Sequence, residues 1–176
     1  MKNLKLSSGI KKMVVTYREV LINSGTTMTT LGREFFVVQE DPTDPLTSSA
    51  SYAPNGVGYA IARIPGIEAF EVMLRVSGAY TDRNLPSVIS GNQICLAGHE
   101  VNDSPRRFHG IQAIILDICP IFISLPLEYR EGICYLSVRK PDPLELSLFN
   151  AVNLTRPERI WTAMGEVWYV DDDEDE

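Results

Sequence analysis

No apolar run in this chain reaches the roughly 18 uninterrupted residues that a membrane-crossing helix needs, and the N-terminus lacks the apolar block of a secretory signal. A reducing compartment is the expected setting. Cysteine is scarce, and an odd total of three agrees with free thiols rather than a disulfide framework. Phosphate-binding glycine loops, GxGxxG, GxSxG and HExxH are all missing. Acids such as Asp82, Asp103 and Asp117 are scattered, without the pairing that general acid and base catalysis needs. Aromatic residues do not interleave with lysines on a strand face, as they do in RNA-binding sheets. These absences argue against an enzyme, a cofactor and sequence-specific nucleic-acid binding. They leave a binding or assembly protein.

What is present is enough to fold. The 176 residues, 44% of them hydrophobic and 22% charged, suit one domain with its own core. Charge is divided unevenly along it. Met1 to Arg18 carries Lys2, Lys5, Lys11, Lys12 and Arg18 and no acid, whereas Glu166 to Glu176 carries seven acids and no base. The expected organisation is a basic N-terminal arm over 1–12, a globular domain over 13–170 with a long loop at 41–58, and a disordered acidic tail over 171–176. The loop rests on the prolines, glycines and serines of DPTDPLTSSASYAPNGVG. The tail DDDEDE either stays solvated, docks on a basic partner, or masks the arm.

The body predicts strands, then a helix, then strands. MVVTYREVLI (13–22) fits either class, and LGREFFVVQ (31–39), GYAIARI (58–64) and AFEVMLRVS (69–77) read as strands. In the last of these Phe70, Val72, Leu74 and Val76 alternate with Glu71, Met73, Arg75 and Ser77, a pattern with one wet face. LPSVISGNQICLAG (85–98) predicts a short helix at its start. A longer helix is predicted from Ser104 as cap and Pro105 as first residue, with Phe108, Ile111, Ile114, Ile115, Ile118 and Cys119 at helical spacing until Pro120 ends it. Ile121–Leu127 and Gly132–Arg139, joined through EYRE, predict a hairpin with Ile123, Leu125, Leu136 and Val138 inward. Asp142-Pro143 starts a second helix, LELSLFNAV, and EVWYV (166–170) is a final strand. The predicted class is α+β: an antiparallel sheet packed against two or three helices.

The stretch CLAGHEVNDSPRRFHGIQAIILDIC, Cys95 to Cys119, gathers two cysteines and both histidines. Cys95, His99, His109 and Cys119 match a zinc set by type, yet only Cys95 and His99 have the close spacing of structural sites. On the predicted helix His109 and Cys119 lie about 15 Å apart, too far for one ion. A Cys95–His109 nucleophile pair lacks a third, orienting group. The reading favoured is cysteines as small buried hydrophobes and histidines at helix or loop edges.

The order of these segments resembles the central part of rhabdovirus matrix proteins. An alternating strand (AFEVMLRVS), a polar loop with Arg83, a short helical stretch (NLPSVISGN), an apolar segment ending in Ala-Gly before a histidine (QICLAGH), a basic-aromatic helix start (RRFHG) and its continuation (IQAIILDI) carry it. The hairpin ISLPLEYREGICYLSVRKPDPLE and the helix after it extend the likeness, which spans roughly Glu68 to Asn153. The size and the short lysine-bearing arm suit plant-infecting cytoplasmic members.

The resemblance implies a non-enzymatic protein that self-associates, condenses the viral nucleocapsid (nucleoprotein with RNA) and links it to the inner leaflet of a membrane. Its location would be the virion interior and the host cytoplasm, peripheral to a membrane. Lys2, Lys5, Lys11 and Lys12 would touch nucleocapsid and membrane, and the 41–58 loop, with Tyr52 and Pro54, would seat on a neighbouring copy. The sequence departs from the better-known relatives in its acidic balance, its acidic tail and the absence of PPxY or P(T/S)AP. Two other readings stand beside this one: a soluble β-rich module that binds a host or viral partner, and, more distantly, a Cys/His enzyme or metal site.

Overall fold

The computed structural model describes residues 16–39, 56–64 and 70–156. In chain order these form β1 (Arg18–Asn23), β2 (Thr30–Leu31), β3 (Phe36–Gln39), β4 (Gly56–Ile64), β5 (Phe70–Thr81), β6 (Val88–Ser90), α1 (Gly91–Leu96), β7 (Glu100–Asn102), a 3-10 turn (Arg106–Phe108), β8 (Ala113–Ile118), β9 (Ile121–Arg130), β10 (Ile133–Arg139), α2 (Pro143–Leu148) and β11 (Val152–Asn153). Among the described residues strands account for 53% and helix for 13%, so the α+β expectation of helices packed on a sheet is overturned by one large mixed sheet. The two α-helices among the described residues have six residues each, and α2 buries none of them.

Strand order runs β3-β4-β5-β2-β6-β1-β10-β9-β8-β7, and a further pairing of β4 with β10 closes β4, β5, β2, β6, β1 and β10 into a ring. That closure joins Val138 to Ala62 and Arg139 to Ile61. Parallel pairs β1–β6, β2–β5 and β5–β11 make the sheet mixed. Inside lie Val20, Leu31, Phe35, Leu74, Val76, Ile89, Ile94 and Leu136, and Ile114, Leu116, Leu125 and Leu127 of the β8–β9 hairpin join the same core. Each such buried side chain contributes about 1.5–3 kcal/mol relative to exposure.

The main correction concerns the isoleucine stripe. Ile114 and Leu116 point into the core while Asp117 faces solvent, because Ala113–Ile118 is a strand antiparallel to β9. The same segment also fits a strand in which Ile114, Leu116 and Ile118 share a face, and the β-branched run favours that alternative. Ser104 caps nothing here: the 3-10 turn begins after Pro105 without a side-chain cap bond. The 85–98 stretch begins as β6, and its helix starts only at Gly91, where the Ser90 side chain accepts from the Gln93 amide. LGREFFVVQ divides into β2 and β3. Phe70, expected inward, is exposed, and Met73 and Ser77 on the expected wet face are buried.

The hairpin Ile121–Arg139 forms, its first arm three residues longer than expected and its second one residue shorter. Arg130 pairs with Ile133, and Glu131 and Gly132, both at positive φ, make a two-residue turn. Two left-handed central residues are what a type I′ turn requires, and glycine adopts that conformation without steric cost. The last three residues of the expected 41–58 loop belong to β4. The rest of that loop, the 1–12 arm, the 166–170 strand and the 171–176 tail lie outside the described residues.

Candidate functional site

The short helix α2 is built to stand at the surface. Asp142 accepts from the Glu145 amide (2.8 Å), and the Glu145 carboxylate accepts from the Asp142 amide (2.8 Å), a complete capping box with Pro143 in the first turn. Glu145 is also held by Arg139 of β10, whose guanidinium reaches it at 2.6 and 2.8 Å and reaches Glu71 of β5 at 2.6 and 3.0 Å. Tyr17 donates to the same Glu71 carboxylate. The fork of Arg139 thus ties three elements, a geometry that lysine cannot reproduce.

Charge in this cluster is mutually stabilised. The Arg139 hydrogen bonds hold the Glu71 and Glu145 carboxyls below the ordinary glutamate value, and the two glutamates hold Arg139 protonated well above its own. Burial, then the Glu71 bond, pushes the Tyr17 phenol up. Over this frame Leu144 (66%), Leu148 (69%) and Phe149 (57%) are exposed. Residues four apart share a helix face, so Leu144 and Leu148 form one apolar ridge.

A second prominent feature is the loop 103–112 between β7 and β8. Pro105 O accepts from the Phe108 amide (2.8 Å) and the Gly110 amide (3.2 Å). The Asn102 side chain accepts from the Ile111 amide (3.1 Å) and Gln112 Oε1 from the Arg106 amide (3.3 Å). Gln112 O accepts from the Leu127 amide (2.8 Å), and at the base Ser24 Oγ donates to Asp103 (2.7 Å). His109 and Gln112 sit at positive φ, and a Cβ at Gly110 would fall 1.8 Å from Ser104 O, so the loop has one tight path. Its crest presents Arg106, Arg107, Phe108, His109 and Ile111 to solvent or nearly so. Beside it lies an open groove of about 760 Å³, lined by Arg106 and Arg107 on one wall and by Glu128, Tyr129 and Glu131 on the other.

Buried polar groups between β2, β6 and α1 are paired internally. Glu34 takes the Ser87 amide (3.1 Å) and hydroxyl (2.7 Å). Burial pushes its carboxyl up, but these bonds, its own backbone N–H and Arg33 outweigh that and hold it below the ordinary value. Thr29 donates to Gln93, and Ser90 N donates back to Thr29 Oγ1 at 3.0 Å. These groups position chain and leave nothing aimed outward.

The Cys/His stretch does not converge. Cys95 lies exposed on α1, and Cys119, which the predicted helix would have buried, is exposed in the β8–β9 turn. His99 bonds Asn153 O through Nε2 (2.9 Å) and accepts the Asp117 amide at Nδ1 (3.2 Å), so both ring nitrogens are engaged in tying β11 to β8. His109 closes the 3-10 turn. Only Cys134 is buried, and burial, then Asp103, pushes its thiol up. Among the described residues no group of three or more His, Cys, Asp or Glu side chains is placed to hold a metal ion. Among them, too, no helix is long and apolar enough to cross a membrane.

Lys2, Lys5, Lys11, Lys12, Tyr52 and Pro54, the residues singled out for membrane, nucleocapsid and self-contacts, lie outside the described residues. The α2 ridge escaped the sequence reading. The signal for it was available: Leu144 and Leu148 four apart, followed by Phe149, on a capped helix too short to bury a full face. No protein family, curated protein or solved structure matches the chain.

Proposed function

We propose that this is a non-enzymatic assembly protein of the viral matrix type, which self-associates and links a nucleocapsid to the inner face of a membrane. The observation that supports it best is the α2 ridge. Leu144, Leu148 and Phe149 are held outward by the capping box and by Arg139, so their exposure is built into the fold. Covering such side chains with a second copy would recover about 1–2 kcal/mol for each of the larger ones. The strand at Ala113–Ile118 takes the helix out of the likeness to matrix proteins. The order of the short segments and the basic arm still support it.

In this role the protein would sit in the virion interior and at cytoplasmic membranes, with Lys2, Lys5, Lys11 and Lys12 contacting phosphate-bearing partners. Purified full-length chain is expected to form assemblies at low salt, seen by sedimentation velocity, and Leu148→Glu is expected to return it to monomer with an unchanged melting temperature. A wild-type chain that stays monomeric at tens of micromolar would overturn the reading. A second reading, a soluble module that binds a host or viral protein, draws on the open groove beside Arg106 and Arg107. It expects a monomer that ignores lipid.

A further inference from the structure

We propose that the crest of the β7–β8 loop is a membrane-docking element that seats on an anionic bilayer surface, with Arg106 and Arg107 on headgroup phosphates and Phe108 and Ile111 in the interfacial layer. The inference rests on the assembly reading and names a contact surface that the arm lysines do not supply. Three observations carry it.

Phe108 is 66% and Ile111 56% exposed, although both belong to a loop whose backbone is hydrogen-bonded along its length. A flexible loop would fold its apolar side chains back onto the protein, whereas this one holds them out. The charge carried by the loop's own sequence is of one sign. From Ser104 to Leu116 the sequence has no acid, and neither Arg106 nor Arg107 forms an ion pair among the described residues. Exposed cations beside exposed apolar side chains are the composition that binds anionic lipid surfaces.

The geometry favours lipid over nucleic acid. The Arg107 guanidinium covers one face of the Phe108 ring at 4.8 Å from its centroid, which leaves a base at most one face to stack on. Ile111 has no π face to offer. Glu128 and Glu131 line the groove behind the arginines, so a phosphate backbone drawn through it would meet carboxylates.

The test is co-sedimentation of the full chain with phosphatidylcholine vesicles containing about one-third phosphatidylserine, against vesicles of phosphatidylcholine alone. Two double variants leave the N-terminal arm intact: Arg106→Glu with Arg107→Glu, and Phe108→Ser with Ile111→Ser. All four side chains are exposed, so circular dichroism and melting temperature should match wild type. Each basic residue at the surface is worth roughly five-fold in binding, so the charge variant should lose more than ten-fold and most of its salt dependence. The apolar variant should weaken about ten-fold with salt dependence kept.

Binding by both variants that equals wild type overturns the proposal, as does wild-type binding that ignores phosphatidylserine. Tighter binding of single-stranded RNA than of vesicles through the same arginines also overturns it. Self-assembly read separately by light scattering keeps the two readings apart: assembly with lipid binding that both loop variants retain in full removes the loop proposal alone, and loop-dependent lipid binding without assembly removes the matrix reading alone.

Discussion

The helix α2 and the β7–β8 loop both turn large apolar side chains to solvent, but different forces hold them there. Helix α2 hangs on charge: its cap is a carboxylate exchange, and its link to the sheet is the Arg139 fork to Glu145 and Glu71. From Pro105 to Gln112 the loop is closed by uncharged groups, chiefly backbone carbonyls, one asparagine and one glutamine. The contrast says what each surface can tolerate. The helix should respond to proton and salt concentration, whereas the loop should keep its shape in both and respond to steric change.

Gly110 is the sharpest place to break the loop and spare the helix. A Cβ there would meet Ser104 O at 1.8 Å and its carbonyl carbon at 2.4 Å, both backbone atoms, so the chain itself must move. Gly110→Val is expected to cost roughly 3 kcal/mol, the upper end of the range for overpacking. Hydrogen exchange should show Phe108, His109 and Gly110 amides losing protection while Leu146 and Phe149 keep theirs. Equal loss at both places would mean that the loop and α2 are one cooperative unit.

Arg139 is the converse. Arg139→Met keeps the length of the side chain but leaves Glu71 and Glu145 facing each other without a cation. The pair is partly solvated, with Glu71 35% and Glu145 20% exposed, so the cost is discounted from that of a buried ion pair to about 2 kcal/mol. The α2 amides should then exchange fastest and the loop amides remain protected. Because α2 would lose its fixed angle, self-association should weaken as well.

Legibility in the sequence follows the same division. The Asp142-Pro143 start was readable because a capping box is local: acceptor, proline and glutamate lie within four residues. The β9–β10 hairpin was readable for the same reason, since its turn and its alternation are neighbours in the chain. The loop and β8 were misread as one helix because Ile114 and Ile118, four apart, share a face on a helix and on a strand alike. What decides between them is the partner strand: Leu116 sits opposite Ile123 and Ile114 opposite Leu125, contacts made across the turn at Cys119–Pro120. The ring closure of β4 on β10 had no local signal, because it joins residues more than seventy positions apart. The Arg139 cluster was equally hidden, since Glu71 and Arg139 meet only when β5, β4 and β10 are adjacent. Function was less legible than fold: the arm and loop that carry the sequence argument lie outside the described residues, and the exposed ridge became visible only with the structure.

Acid gives the smallest expected effect and the most direct comparison, because it needs no substitution. Glu71 and Glu145 are held below the ordinary glutamate value by Arg139. A carboxylate with a lowered folded-state pKa adds stability that is complete above the unfolded value, about 4.3 for glutamate, and is lost as pH falls through the lowered one. Glu34, lowered by its hydrogen bonds against the effect of burial, contributes in the same direction. Taking the chain from pH 7 to about pH 3.5 is therefore expected to remove about 1 kcal/mol at α2, after allowance for solvent screening. Protection factors corrected for intrinsic exchange should fall at Leu146 and Phe149 and hold at Phe108 and Gly110, whose acceptor is Pro105 O. In Arg139→Met the largest cause of the lowering is removed while the Asp142 amide still holds Glu145 and Tyr17 still holds Glu71, so the α2 acid response should shrink. If α2 in that variant still loosens on acidification as in the wild type, the carboxylates act through some contact other than Arg139, and the division between a charge-held helix and a backbone-held loop fails.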